Sequence, residues 1–139
     1  MKVSKELAEA HYSELKQRLI VKFGEEKGKE IFENTLKYIQ GEFHTDRVLA
    51  LVYEGEDCIV KIRDIVGKTN PEEADPISIR GKYGRINSKT RVIENVIHAS
   101  DSEENAKKEI QLWFEPSELT SIVYPTKKKE VKMDKIVWN

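Results

Sequence analysis

Hydrophobic positions in the N-terminal part of the chain follow a helical period. Between residues 3 and 20, side chains suited to a buried face recur at every fourth position: Val3, Leu7, His11, Leu15 and Leu19. This spacing predicts an amphipathic helix that begins after Ser4 as N-cap and stops near Gly24. A second helix is predicted over about 26–40, ended by Gly41. Its buried face contains Ile31, Phe32, Leu36 and Ile39.

The pattern changes after residue 47. The continuous apolar run Val48–Tyr53 is short and precedes a turn at Glu54–Gly55, so it predicts a strand buried on both faces. A third helix is predicted over about 56–66, stopping at Gly67. Residues 67–92 are rich in Gly, Pro and Asn and predict a long irregular segment. Such a segment is equally compatible with a functional loop and with a plain surface excursion.

The last predicted elements surround His98. A short strand, Val92–Ile97, leads into it, and Ser100–Glu103 has the form of a capping box that opens a helix ended by Pro116. The buried stripe of that helix is Ala106, Ile110, Trp113 and Phe114. Two strands are too few for a stable sheet, so further strands lie in the tail, come from a partner or precede this chain.

Composition narrows the class of protein. The 139 residues fit one domain over 1–139, in which about 120–139 form a C-terminal tail. A net charge of −1 leaves no overall basic field for nucleic acid, and Lys127–Lys129 lies beside Glu130, which is typical of a solvated face. One cysteine, no secretory apolar segment and no apolar run of about 20 residues predict a cytoplasmic protein without a membrane partner.

His98 is the first candidate for chemistry. It stands where a predicted strand meets a helix N-terminus, and unpaired backbone N–H groups at such an end favour anions, phosphate included. By position alone, a histidine there is more often structural. Glu109 in the same helix could fix the tautomer of His98, although its spacing alone is that of a solvated helix residue.

Three further residues are suited to phosphate. Arg63 and Arg80 flank the irregular segment, and a pair of guanidinium groups suits a polyphosphate, although most arginines are simply surface residues. Thr69 precedes Asn70–Pro71, where its hydroxyl could bind a phosphate or cap a helix that starts at Pro71.

These stretches resemble the nucleoside diphosphate kinase family. Asn95–Ser102 is similar to the active-site signature of that family, and the similarity continues through Glu109, Trp113 and Pro116. Further stretches match in the same order along the chain: His11–Tyr12, Leu51–Asp57, Arg63, Val66–Pro71 and Ile79–Gly81. The resemblance covers most of residues 3–119.

The resemblance implies a fold and a chemistry. It implies an α+β, ferredoxin-like antiparallel sheet covered by helices, and ping-pong transfer of a γ-phosphate through phosphorylated His98. Glu109 and Ser100 would orient the imidazole, Arg63, Thr69 and Arg80 would bind phosphates, Asn95 would contact sugar and phosphates, and Tyr12 would line the site. Mg²⁺ would be bound through the nucleotide phosphates and not by a protein cage. The partners would be nucleoside tri- and diphosphates and further copies of the chain, in a hexamer or a dimer-based assembly.

This chain also departs from the family pattern. The family begins with a strand, a helix and a second strand, and the first strand carries a lysine important for catalysis; this chain begins after them. The expected sheet is therefore incomplete at its N-terminus, with an exposed apolar surface and an unpaired edge. The alternative function is a catalytically impaired nucleotide-binding or scaffolding remnant of the family.

Overall fold

The chain forms six α-helices and one small antiparallel sheet within residues 1–44, 46–121 and 124–130, which the computed structural model describes. The helices are α1 Lys5–His11, α2 Leu15–Phe23, α3 Glu25–Ile39, α4 Cys58–Val66, α5 Ile79–Tyr83 and α6 Glu103–Trp113. The sheet pairs β1, Arg85–Ile86, with β2, Ile93–Glu94. Two 3₁₀ turns, Pro71–Glu73 and Pro116–Glu118, complete the regular structure. Helices with an antiparallel sheet are the predicted α+β class.

The first predicted helix is correct at its start but not continuous. The Ser4 hydroxyl accepts a hydrogen bond from the Leu7 amide at 3.2 Å, which confirms the N-cap. The helix then breaks into α1 and α2 at a turn in which the Leu15 amide binds the Tyr12 carbonyl. This turn allows Tyr12 and Leu15 to pack against the same core cluster as α1.

Helices α1 and α3 carry most of the core. Its buried members are Val3, Ala8, Phe32 and Leu36, and Trp113 of α6 packs against them. Gly24, with φ of 86°, joins α2 to α3 as the predicted stop, because a left-handed residue reverses the chain without strain only at glycine. The core therefore brings the end of α1 beside the end of α6.

The predicted strand at 48–53 is wrong as a buried strand. The segment has no regular secondary structure and no strand partner in the described part of the chain, and its alternate residues Leu49, Leu51 and Tyr53 are exposed. Its start is tied to the N-terminus, since Met1 and Val48 exchange two backbone hydrogen bonds. An apolar run becomes a doubly buried strand only where neighbouring strands and covering helices exist, and the run itself does not supply them.

The approach to α6 also differs from prediction. Only Ile93 and Glu94 of the predicted strand pair with β1, and Val96 has a φ of 59°, so the chain leaves the extended path before His98. The N-cap of α6 is Ser102, whose hydroxyl accepts from the Asn105 amide. The predicted capping box at Ser100 is therefore wrong, and the Ser100 hydroxyl is used elsewhere.

The segment 67–92 is partly packed. It contains the first 3₁₀ turn, α5 and β1, and it buries Pro71, Ser78 and Arg80. The possible strands in the tail fall partly on residues 122–123 and 131–139, which lie outside the described residues. Among the helices described, none is both long and apolar enough to cross a membrane.

Candidate active site

His98 is hydrogen-bonded to one carboxylate, and about half of its side chain is exposed. Its Nε2 lies 2.9 Å from both carboxylate oxygens of Glu109, and 51% of its side chain is exposed. A carboxylate only accepts hydrogen bonds, so the neutral imidazole carries its proton on Nε2 and presents an unprotonated Nδ1. The interpretation of Glu109 as a merely solvated helix residue is therefore wrong.

Ser100 completes this group from the loop before α6. Its hydroxyl donates a hydrogen bond to Oε2 of Glu109, and this contact uses the side chain that the sequence suggested as a cap. Glu109 is thus oriented by Ser100 on one side while it orients His98 on the other. Such a chain of hydrogen bonds fixes both the rotamer and the tautomer of the imidazole.

Two arginines hold the backbone on either side of His98. Arg80 of α5 is 3% exposed, and its Nε and Nη2 donate to the Ile97 carbonyl at 3.2 and 3.0 Å. Its Nη1 donates to the Gly67 carbonyl at 2.9 Å. Arg63 of α4, which is half-buried, donates from Nη1 to the Ala99 carbonyl at 3.5 Å. Burial, and then repulsion from Arg63, lower the pKa of Arg80.

A second histidine lies against His98 at the end of α1. The rings of His11 and His98 meet edge to face, with centroids 4.7 Å apart and an angle of 85°. The indole Nε1 of Trp113 donates to His11 Nδ1 at 3.2 Å. Burial, and then the positive charge that His98 can carry, lower the pKa of His11 to about 4. His11 is therefore neutral near pH 7.

The remaining predicted residues surround this centre less closely. Tyr12 is half-buried. Burial raises its pKa to about 12, with Tyr38 as the second cause, and the charge of Arg80 acts against this rise.

Thr69 is exposed, and it is the side chain of Asn70 that caps the following turn by accepting from the Glu72 amide. Thr69 as a cap is thus wrong, whereas Thr69 as a phosphate ligand stays a prediction. Asn95 is half-buried three residues before His98.

The structure brings His98, Glu109 and Ser100 into direct contact and places Arg63 and Arg80 beside them. Sequence reasoning placed His11 and Trp113 in apolar stripes and in the family resemblance, but it gave neither of them a role at the site. A signal existed for Trp113: it follows Glu109 by four residues, so the two share one face of α6.

Comparison with known proteins places this chain in a family context. A sequence profile described as "Nucleoside diphosphate kinase" matches residues 1–119. The chain is 42% identical over 125 residues to a protein named "Nucleoside diphosphate kinase" from Staphylococcus aureus strain JH9, covering 90% of this chain and 70% of that relative. The same figures hold for the protein of that name from strain Newman.

Solved structures agree with the sequence match and with a ferredoxin-like α+β fold. The chain is similar to the apo nucleoside diphosphate kinase of Encephalitozoon cuniculi, with 32% identity, a TM-score of 0.60, and coverage of 88% of this chain and 71% of the other. It is also similar to an NDP kinase from Pyrobaculum aerophilum, with 26% identity, a TM-score of 0.63, and coverage of 85% and 78%. A third similar structure is the transition state mimic of the Borrelia burgdorferi nucleoside-diphosphate kinase with bound vanadate and ADP. The two chains are 28% identical with a TM-score of 0.61, and the match covers 91% of this chain and 71% of the other.

Proposed function

The chain belongs to the nucleoside diphosphate kinase family, and from this premise we propose that His98 carries the phosphoryl group between two nucleotides. Its function is the transfer of a phosphoryl group from a nucleoside triphosphate to a nucleoside diphosphate. The observation that carries the proposed role of His98 is its half-exposed imidazole, whose Nε2 is held 2.9 Å from Glu109. That contact leaves Nδ1 as the nitrogen with a lone pair.

The transfer proceeds in two displacements. Nδ1 attacks the γ-phosphorus of the triphosphate, so a P–N bond forms and the bond to the bridging oxygen breaks, releasing a nucleoside diphosphate. The terminal oxygen of a second diphosphate then attacks the phosphohistidine and breaks the P–N bond. Glu109 stabilises the positive imidazole that forms in between, and Ser100 holds Glu109 in place.

Charge neutralisation and positioning carry most of the remaining catalysis in phosphoryl transfer. Arg63 and Arg80 supply positive charge beside His98, with the Thr69 hydroxyl as a further phosphate ligand. Asn95 contacts the sugar and phosphates, and Tyr12 lines the cleft. The neighbour from Borrelia burgdorferi, with its bound ADP and vanadate, supports a site for nucleotide phosphates in this family.

Mg²⁺ would be held by the nucleotide phosphates and would supply neutralising charge there. It prefers oxygen ligands, whereas the Glu109 carboxylate is already engaged by His98 and Ser100. The residues around His98 therefore fit an ion that is bound through the nucleotide phosphates, where it would neutralise charge on the transferred group. A cytoplasmic location, a single domain over 1–139 and a homo-oligomer, hexameric or dimer-based, are parts of the same proposal. The chain has a single cysteine, Cys58, so no disulfide can form within it, and this supports the location.

The test is to trap the intermediate. Incubation with ATP labelled in the γ-position should leave an acid-labile, alkali-stable label on the protein, and His98→Ala should abolish it. Glu109→Gln is the matched variant, because it keeps the shape and removes the charge; its labelling rate should fall about a hundredfold. Nucleotide binding without any label would contradict the proposal and favour the alternative, a nucleotide-binding or scaffolding remnant.

A further inference from the structure

Trp113 and Glu109 project from one face of α6 and bind different histidines. They are four residues apart, so they lie one above the other on the helix. Glu109 binds His98, and Trp113 donates to His11 Nδ1 at 3.2 Å. Helix α6 therefore fixes both members of the histidine pair, and α1 contributes His11 at its last residue.

The hydrogen bond from Trp113 determines the state of His11. An indole N–H is a donor only, so Nδ1 of His11 must be its unprotonated nitrogen, and the neutral ring carries its proton on Nε2. Burial keeps the ring neutral, with a pKa of about 4. A neutral His11 adds no charge beside His98.

Ring contact then limits the motion of His98. Glu109 holds one nitrogen of a half-exposed side chain, and a single contact of this kind still permits the imidazole to rotate about it. The edge-to-face contact at 4.7 Å and 85° closes one side of the ring. His11 is in turn prevented from rotating by Trp113, with ring centroids 5.4 Å apart.

From this geometry we infer that His11, locked by Trp113, is a positioning residue that keeps the imidazole of His98 on Glu109 with Nδ1 facing outward. The inference rests on the proposed function of His98. When the contact between Trp113 and His11 is lost, the His98 ring samples other rotamers. Displacement of a reacting atom by about 1 Å can slow a reaction by up to about a hundredfold.

A metal site is the other chemistry that this group suggests, and the same hydrogen bond opposes it. Candidate ligand atoms of His11, His98 and Glu109 lie within 4.8 Å of one another, and two imidazoles with one carboxylate are a ligand set that zinc uses. However, Trp113 occupies the Nδ1 lone pair of His11, and Nε2 carries the proton. His11 has no lone pair left for a metal ion.

The test compares variants of equal size. His11→Leu and His11→Asn have the same number of side-chain heavy atoms, but only Asn offers an oxygen to the indole N–H of Trp113. Single-turnover phosphorylation of His98 should slow about tenfold in His11→Leu and about threefold in His11→Asn, with nucleotide affinity unchanged. Trp113→Phe should slow phosphorylation as much as His11→Leu does. The double variant should be no slower than either single variant, because both substitutions remove the same hydrogen bond between Trp113 and His11.

A second readout does not depend on phosphorylation. Nitrogen-15 NMR of the histidine rings should show His98 as the Nε2–H tautomer in the parent protein and as a mixture of tautomers in His11→Leu. In Trp113→Phe, His11 should titrate at a higher pH, since the hydrogen bond that favours its neutral form is lost. Unchanged His98 spectra in these variants, or equal slowing in the Leu and Asn variants, overturn the inference. If the parent protein takes no phosphoryl label, the proposed function fails, and the spectra still decide whether His11 positions His98.

Discussion

The two arginines beside His98 differ in burial and in the hydrogen bonds they donate. Arg80 is buried and donates three hydrogen bonds to backbone carbonyls, whereas Arg63 is less buried and makes one long hydrogen bond. Lysine cannot reproduce the planar fork of Arg80, so Arg80→Lys should lower the free energy of unfolding by about 3 kcal/mol. Arg63→Lys should change it by less than about 0.5 kcal/mol. Urea unfolding at pH 7 measures both.

Arg63→Lys should impair substrate binding although it leaves the stability of the protein nearly unchanged. Arg63→Lys loses bidentate binding of phosphate oxygens, so its kcat/KM should fall about tenfold while the fold is intact. Equal stability of the two lysine variants would contradict the assignment of Arg80 as the residue that clamps the backbone around His98.

His11 should make the protein sensitive to acid. Its folded pKa of about 4 lies below the ordinary value of 6.5, so between these pH values the unfolded chain binds more protons and stability rises with pH. Lowering the pH from 7 to 4.5 should therefore cost about 2 kcal/mol through this residue, allowing for its partial exposure. The cost should be absent in His11→Leu, and the measurement is urea unfolding of both proteins across this range. Parallel curves for the two proteins would exclude this role.

At this scale the sequence could identify residues but not their partners. Position at a helix end singled out His98, and the family resemblance gave Glu109 and Ser100 their roles. Spacing along the chain could not assign roles to Glu109 and Ser100, since Glu109 reaches His98 only after the loop 99–102 folds back. The pairing of His11 with Trp113 joins residues 102 positions apart, and no local pattern encodes such a contact.

Helical elements were more predictable than strands because their signals are local. Ser4, Gly24 and Gly67 mark helix ends in the structure as they do in the sequence. The run Val48–Tyr53 carries an equally clear apolar signal, yet its burial depends on neighbouring strands that lie elsewhere in the fold. The sequence pattern therefore identifies this segment as apolar but does not show what surrounds it.

Packing of α2 on α3 gives a prediction at the level of elements. Gly28 of α3 is buried, and a β-carbon there would lie 2.6 Å from Ile20 Cα and 2.8 Å from the Leu19 carbonyl carbon. Helix propensity alone favours alanine by about 1 kcal/mol, but here the two backbones would have to separate. Gly28→Ala should thus lower the free energy of unfolding by about 2 kcal/mol.

The neighbouring position provides the control for this variant. Lys27 is exposed on the same helix, so Lys27→Ala should leave stability within about 0.5 kcal/mol of the parent. Thermal unfolding followed by circular dichroism distinguishes the two. A raised melting temperature in Gly28→Ala would show that α2 and α3 can separate without cost.

At the scale of the whole molecule, the described residues leave one apolar surface exposed. In the segment 48–53, Leu49 is 83% exposed, and the alternate residues Leu51 and Tyr53 are exposed as well. In the described chain no strand pairs with this segment beyond the contact of Val48 with Met1, so its apolar side chains lie along an edge that has no sheet neighbour. Both features favour association with another chain.

Self-association should therefore depend on this segment. Sedimentation of the parent protein should give a mass above that of one chain, rising with concentration, because burial of apolar area is favourable by about 25 cal/mol per Å². The double variant Leu49→Lys and Leu51→Lys should shift the distribution toward the single chain, since charges along an edge oppose strand pairing. Val21→Lys is the matched control, because Val21 is 78% exposed but lies on α2. If Val21→Lys changes the mass as much as the double variant does, association is a general effect of surface hydrophobicity and does not run through the 48–53 segment.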